Sequence, residues 1–236
     1  MRQQLLEMAR HDSRITAAAI TGSLAADAED RWSDIDLAFG VDGDINEVIE
    51  DWTAQVTAEF DGLHLLDVTV PTAIYRVFLL PGSLQVDLAF SPEDQFGPRG
   101  PKFRMIFGKA AQEVSSSSSV SEQIGLGCLY LLHAHSSLAR GKLWQGNYFV
   151  AELRNISMSL ACRRLGLPAA EGRGFDRLPK NELKDYYLTV PSSISNGELQ
   201  HALTVSIQLF VKEAARHDPD LARELIDRSV LLRGFE

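Results

Sequence analysis

The side chains here that could do chemistry are three aspartates and one small turn. Asp34 and Asp36 lie in Ser33-Asp34-Ile35-Asp36-Leu37, and residues two apart on a strand project to the same face. The two carboxylates therefore point together while Ile35 and Leu37 face the core. Like charges so placed repel unless a cation lies between them. Asp87 interrupts the apolar run Val86-Asp87-Leu88-Ala89-Phe90. A buried, unpaired carboxylate is costly or takes up a proton, and a metal shared with Asp34 and Asp36 removes that cost. Gly22-Ser23 stands between an apolar run and the helix-prone Leu24-Ala25-Ala26-Asp27-Ala28. Free N–H groups at a helix start, the Ser23 hydroxyl and the bare Gly22 backbone could cradle a phosphate. Each piece also has a plain explanation: a loop, a solvated strand end, an edge-strand acid facing water.

The elements that must position these residues are legible in outline. The pattern predicts a helix over 2–11, strands over 15–20 and 35–39, and a helix ending near 60 that Asp44 caps, with Glu47 three residues on. Three more strands follow over 64–70, 74–80 and 84–90, separated by Pro71-Thr72-Ala73 and Pro81-Gly82-Ser83. Residues 91–104 are rich in Pro and Gly, and Ser115–Ser119 is an unbroken serine run. Such a run reads as flexible and marks a boundary near 110–120. Beyond it the pattern is helical over about 121–140, 144–165, 179–189, 196–216 and 219–231. The expected fold class is α+β: a small mixed sheet with flanking helices in residues 1–110, then an all-helical bundle in 120–236.

Composition bounds the reading. With 236 residues, 45% of them hydrophobic, the chain can bury a substantial core. Its formal charge of −9 gives no global field for nucleic acid, which argues against a nucleic-acid partner and suits a metal site or a small cationic substrate. Cys128 and Cys162 fall in apolar helical stretches without Cys-x-x-Cys spacing and read as small buried hydrophobes. No signal-like leader and no run of the roughly 18 apolar residues that span a bilayer are present, so the expected location is cytoplasmic, without a membrane partner.

Gly22-Ser23, ten intervening residues, Asp34-x-Asp36 and a distal Asp87 flanked by apolar residues form one pattern. It resembles the DNA-polymerase-β-like nucleotidyltransferase superfamily over roughly residues 15–90. The helical second half is similar, more loosely, to that of the aminoglycoside and lincosamide nucleotidyltransferases. The resemblance implies that Asp34 and Asp36 bind Mg²⁺ bridging the oxygens of a nucleoside triphosphate, with ATP the expected donor. Asp87 would complete a second metal site or take the proton of the attacking hydroxyl. Two ions stabilise both the attacking and the leaving oxygen of an in-line displacement. Gly22, Ser23 and Ser33 would hold the β/γ-phosphates. The expected acceptor is a small hydroxyl-bearing molecule, an aminoglycoside-like antibiotic being the guide, as in antibiotic resistance.

Further candidates lie outside that pattern. Trp144, Tyr148, Glu152 and Asn155 share one helix face. Antibiotic nucleotidyltransferases can place a catalytic glutamate on a second-domain helix, which makes Glu152 an alternative base. Arg99, Lys102, Arg104, Lys180 and Lys184 could neutralise triphosphate charge, Lys184 being the nucleotide-binding candidate among the later lysines. His133 and His135, two apart on a helix, face different directions and do not form a metal pair. Two other functions stay open: transfer to a nucleic acid or protein hydroxyl, including a toxin–antitoxin role, and a silent domain that only binds nucleotide.

Overall fold

Runs of small and β-branched residues make the strands of the N-terminal half, and turn residues end them. The computed structural model describes residues 1–22, 25, 30, 32–99, 102–111 and 119–228. The chain divides into two compact units, Met1–Ser116 and Ser117–Glu236.

Among the described residues, the first unit is a six-stranded mixed sheet with two α-helices and a short 3-10 turn at Glu93–Gln95. In chain order these are α1 (Arg2–His11), β1 (Ile15–Thr21), β2 (Ile35–Val41), α2 (Ile45–Phe60), β3 (Leu63–Val70), β4 (Ala73–Leu80), β5 (Leu84–Pro92) and β6 (Phe103–Phe107). The spatial order is β3-β4-β5-β2-β1-β6. β2 and β5 run parallel, and the remaining neighbours are antiparallel. β6 falls where the Pro/Gly texture predicted only loop. Its alternating Phe103, Met105 and Phe107 were the signal, and pairing with β1 fixes it. Asp44 caps α2 by accepting the Asn46 N–H at 2.8 Å, so the side chain serves the second residue of the turn and leaves Glu47 to the helix dipole.

One sheet face is the core. Ile35, Leu37 and Phe39 of β2, Val86, Leu88 and Phe90 of β5, and Phe78 of β4 meet Val48, Trp52 and Val56 of α2. Phe39, Trp52 and Phe90 form a ring trio with centroids 4.8–5.7 Å apart, and the Trp52 Nε1–H donates to Asp12 at 3.0 Å. Arg76 is 7% exposed on this face. It donates through Nε and Nη2 to both oxygens of Asp67 and through Nη1 to Thr53, which pins the edge strand β3 and α2 to β4. The opposite face carries the functional candidates. There Phe96 packs over Ala17 and Ala19, with Ala38, Phe103 and Met105 around it, so the β1/β2/β6 half of that face is covered.

The second unit consists of α3 (Val120–Ala139), α4 (Leu143–Arg164), α5 (Lys180–Tyr187), α6 (Asn196–His217) and α7 (Pro219–Arg228). Ser119, the last of the serine run, is an N-cap. It accepts the Glu122 N–H at 3.1 Å while Glu122 accepts the Ser119 N–H at 2.7 Å, a reciprocal cap that the run's flexible texture concealed. Leu131 and Leu138 of α3, Leu153 and Leu160 of α4, and Leu203 and Phe210 of α6 build the core. Cys162 is buried among Met158, Leu178 and Tyr186, and burial pushes its thiol up. Among the described residues no helix is long and apolar enough to cross a membrane.

Glu213 of α6 is 3% exposed yet ionic. Arg164 of α4 donates to both of its oxygens, at 2.9 and 3.2 Å, Arg216 adds another bond, and the same Arg164 reaches Glu182 of α5 at 2.6 Å. Glu213→Ala removes the buried hub, but Arg164 keeps Glu182 and both arginines reach solvent, so the cost should be about 1–3 kcal/mol, read from the urea midpoint of the full chain.

Candidate functional site

The parallel register of β2 against β5 sets Asp36 beside Asp87, and adjacent strands stand only about 4.8 Å apart. Asp34 precedes β2 by one residue. A local turn presents it: the Asp30 N–H donates to the Ser33 hydroxyl at 2.9 Å, and that hydroxyl donates back to the Asp30 carboxylate at 3.2 Å. One ligand oxygen from each of Asp34, Asp36 and Asp87 lies within 4.8 Å of the others, and all three side chains are partly buried. Among the described residues they form the one group of at least three acidic, His or Cys side chains close enough to hold a metal ion. Three convergent carboxylates suit a hard divalent cation such as Mg²⁺.

Gly22 closes the site from β1. It stands at φ +66°, and a Cβ there would come 1.7 Å from Asp36 Oδ2, inside any permitted contact. Only a residue without a side chain lets the chain turn so close to that carboxylate. The donor set and this cradle together fit a small cation held against a bare backbone.

The electrostatics of Asp87 follow from its position. Burial pushes its pKa above the usual carboxylate range, the Gln85 amide pulls it down, and the charge of Asp34 pushes it up again, for a net rise. Gln85 lies two residues away on the same strand face, and its Nε2 donates to both Asp87 oxygens at 2.9 and 3.1 Å. The sequence reading did not single out Gln85; the Gln-x-Asp spacing on β5 was the available signal. A carboxyl whose folded pKa is raised binds its proton more tightly folded than unfolded. The metal-free protein is therefore expected to lose stability as pH climbs from the usual carboxylate range through the raised Asp87 value. Asp87→Asn should flatten that part of the profile, as denaturant titrations at a series of pH values would show.

Comparison with known proteins adds little to this geometry. No family model matches the chain, and no curated protein matches it. Among solved structures, the chain is similar to an aminoglycoside 6-adenyltransferase from Bacillus subtilis, at 13% identity over 95% of this chain and 89% of that one, with a TM-score of 0.39. A likeness that distant carries no argument about function, so the site must speak for itself.

The remaining candidates distribute as follows. Ser23 and most of the helix-prone segment after it lie outside the described residues. Arg99 is tied down, donating to the Thr72 carbonyl at 2.7 Å and the Ser91 hydroxyl at 3.1 Å, with its guanidinium over the Tyr75 ring. Lys102 precedes β6 and Arg104 lies on it. Glu152 and Lys184 belong to the second unit, on α4 and α5; Lys184 is exposed. Trp144 and Tyr148 on α4 are 75% and 58% exposed. Tyr148 meets Phe149 edge-on, and His133 stacks on Phe149 at 5.0 Å. Partial burial, the Glu152 charge and Tyr148 push the Tyr130 phenol up.

Proposed function

We propose that this chain is a Mg²⁺-dependent nucleotidyltransferase that moves a nucleoside monophosphate, AMP from ATP, onto a hydroxyl of a small molecule and releases pyrophosphate. The convergence of Asp34, Asp36 and Asp87 beside the bare backbone of Gly22 carries this reading. The first unit is the catalytic one, and the helical unit is assigned to substrate. Held by the three carboxylates, divalent ions supply charge neutralisation and orientation of triphosphate oxygens. Asp34 and Asp36 would hold the ions to which the donor's phosphates bind, and the Gly22 backbone with Ser23 would take the β/γ end. Ser33 can join them only by giving up its bond to Asp30. Lys184 is the second unit's nucleotide-binding candidate.

The acceptor oxygen attacks the α-phosphorus and its bond to the bridging oxygen of pyrophosphate breaks. The hydroxyl proton passes to Asp87, the carboxylate on the β5 side of the site. Glu152 is the alternative base. Asp87→Asn and Glu152→Gln decide between them: with metal binding retained, the base is the residue whose loss slows transfer more. The chain's net charge of −9 suits a cationic acceptor of the aminoglycoside kind and disfavours nucleic acid.

The test is a pyrophosphate-release screen with Mg²⁺, the four ribonucleoside triphosphates and a panel of aminoglycosides, lincosamides and nucleic acids. Metal-dependent release stimulated by one acceptor class is the expected result. Binding of ATP and Mg²⁺ with no release across the panel would favour a silent nucleotide-binding domain instead.

A further inference from the structure

The sheet face that carries the aspartates is covered on one side and bare on the other. From β2 outward, one cross-strand row runs Asp36, Asp87, Val77, Leu66. The flanking rows place Tyr75 and Val68 on one side, and Gln85, Leu79 and Leu63 on the other. Directly opposed residues on neighbouring strands share a face. The β4/β3 side of Asp87 is therefore an apolar platform of Leu63, Leu66, Val68, Tyr75, Val77 and Leu79. Its outer members are well exposed: Leu63 62%, Leu66 50%, Val68 46% and Leu79 38%. The β1/β2/β6 side of the same face is filled by Phe96 and its neighbours. At the Tyr75 end the platform is bounded by Arg99, held over that ring by its bonds to Thr72 and Ser91.

We infer that this platform receives the body of the acceptor, and that the acceptor is an alcohol with an apolar, ring-bearing moiety next to its reacting hydroxyl. The inference rests on the transferase reading above and departs from it on one point: an apolar acceptor takes the place of the cationic one that net charge alone suits. In that reading the triphosphate tail lies toward Gly22, on the β1 side of the carboxylates. In-line displacement sets the attacking oxygen opposite the leaving pyrophosphate. The hydroxyl then arrives over β5, and whatever carries it extends across β4 and β3. Among the described residues, β3 and β4 offer no carboxylate on that surface to an ammonium group: Asp67, the one acid of β3, pairs with Arg76 on the opposite face. A polycation finds no charge complement on β3 and β4, whereas a planar apolar body finds contact area beside Asp87.

Binding to the full-length protein, with Mg²⁺ and a nonhydrolysable ATP analogue present, tests this directly. The probes are 2-(2-naphthyl)ethanol and the polycationic aminosugar neamine. Leu66 and Val68 are half-exposed, so the double variant Leu66→Ser/Val68→Ser should keep the fold. The naphthyl alcohol should bind the unmodified chain, weaken at least about tenfold in the double variant, and recover in Leu66→Met, with nucleotide affinity unchanged throughout. Unaltered naphthyl binding in the double variant, or a preference for neamine, would overturn the inference. So would a concentration-dependent dimer that the double variant abolishes, since the face would then serve a second copy of the chain. Failure of the ATP analogue to bind the unmodified protein would bring down the transferase reading as well, and is told apart because no alcohol is needed to see it.

Discussion

Asp36→Asn should lower nucleotidyl transfer by at least about 10³-fold while leaving the urea midpoint essentially unchanged. The substitution is isosteric, so packing around β2 is preserved, and Ile35 and Leu37 on either side keep their buried places. What changes is charge. A carboxylate offers a divalent ion two strongly basic oxygens, whereas an amide offers one neutral oxygen and turns an N–H₂ toward the cation. In the metal-free state the same change removes one carboxyl from a cluster of three, which relieves crowding of like groups. Activity and stability must therefore separate. The measurement is a Mg²⁺ titration of pyrophosphate release beside a denaturant curve for both proteins. Near-normal release from the variant would remove Asp36 from the metal set and, with it, the case for the reaction.

The sequence made the N-terminal half of this molecule more legible at its centre than at its edges, for physical reasons that differ by element. Strands β1, β2 and β5 announce themselves because they are core strands, where apolar periodicity and turn residues are strongest. Strand β3 was also visible as a strand, but the exposure of Leu63, Leu66 and Val68 was not, because exposure depends on which strand ends at the sheet edge, a long-range fact. The edge strand β6 was hidden by the glycines and prolines of the segment before it, and only pairing with β1 stabilises it. At the site, two aspartates two residues apart could be paired from strand geometry alone. Their convergence with Asp87 could not, since it depends on β2 lying parallel to β5 across an intervening helix and two strands. Gln85 escaped notice because an amide carries no chemistry until a partner is beside it. Arg99 was read as a cation able to neutralise triphosphate charge, and its bonds to Thr72 and Ser91, the first to a residue far back in the chain, were not legible in advance.

The glycine at the site allows a cleaner test of geometry than any charge change. Gly22 and Gly82 both adopt positive φ, +66° and +80°, so an added side chain strains the backbone at either position. They differ in what the new Cβ meets. At Gly82 nothing lies within 4 Å, whereas at Gly22 the Asp36 carboxylate stands 1.7 Å away. Gly82→Ala should therefore cost about 1–2 kcal/mol of stability and leave metal affinity and transfer alone. Gly22→Ala carries the same backbone cost and in addition drives Asp36 off its position. A displacement of even about 1 Å in a catalytic group can cost 10²-fold, so transfer should fall at least that far, and Mn²⁺ affinity measured by calorimetry should fall with it. The pair of variants separates strain from collision. Equal losses of metal affinity at both positions would mean that the turn matters only as a fold element, whereas a loss confined to Gly22→Ala ties the metal site to the bare backbone beside Asp36.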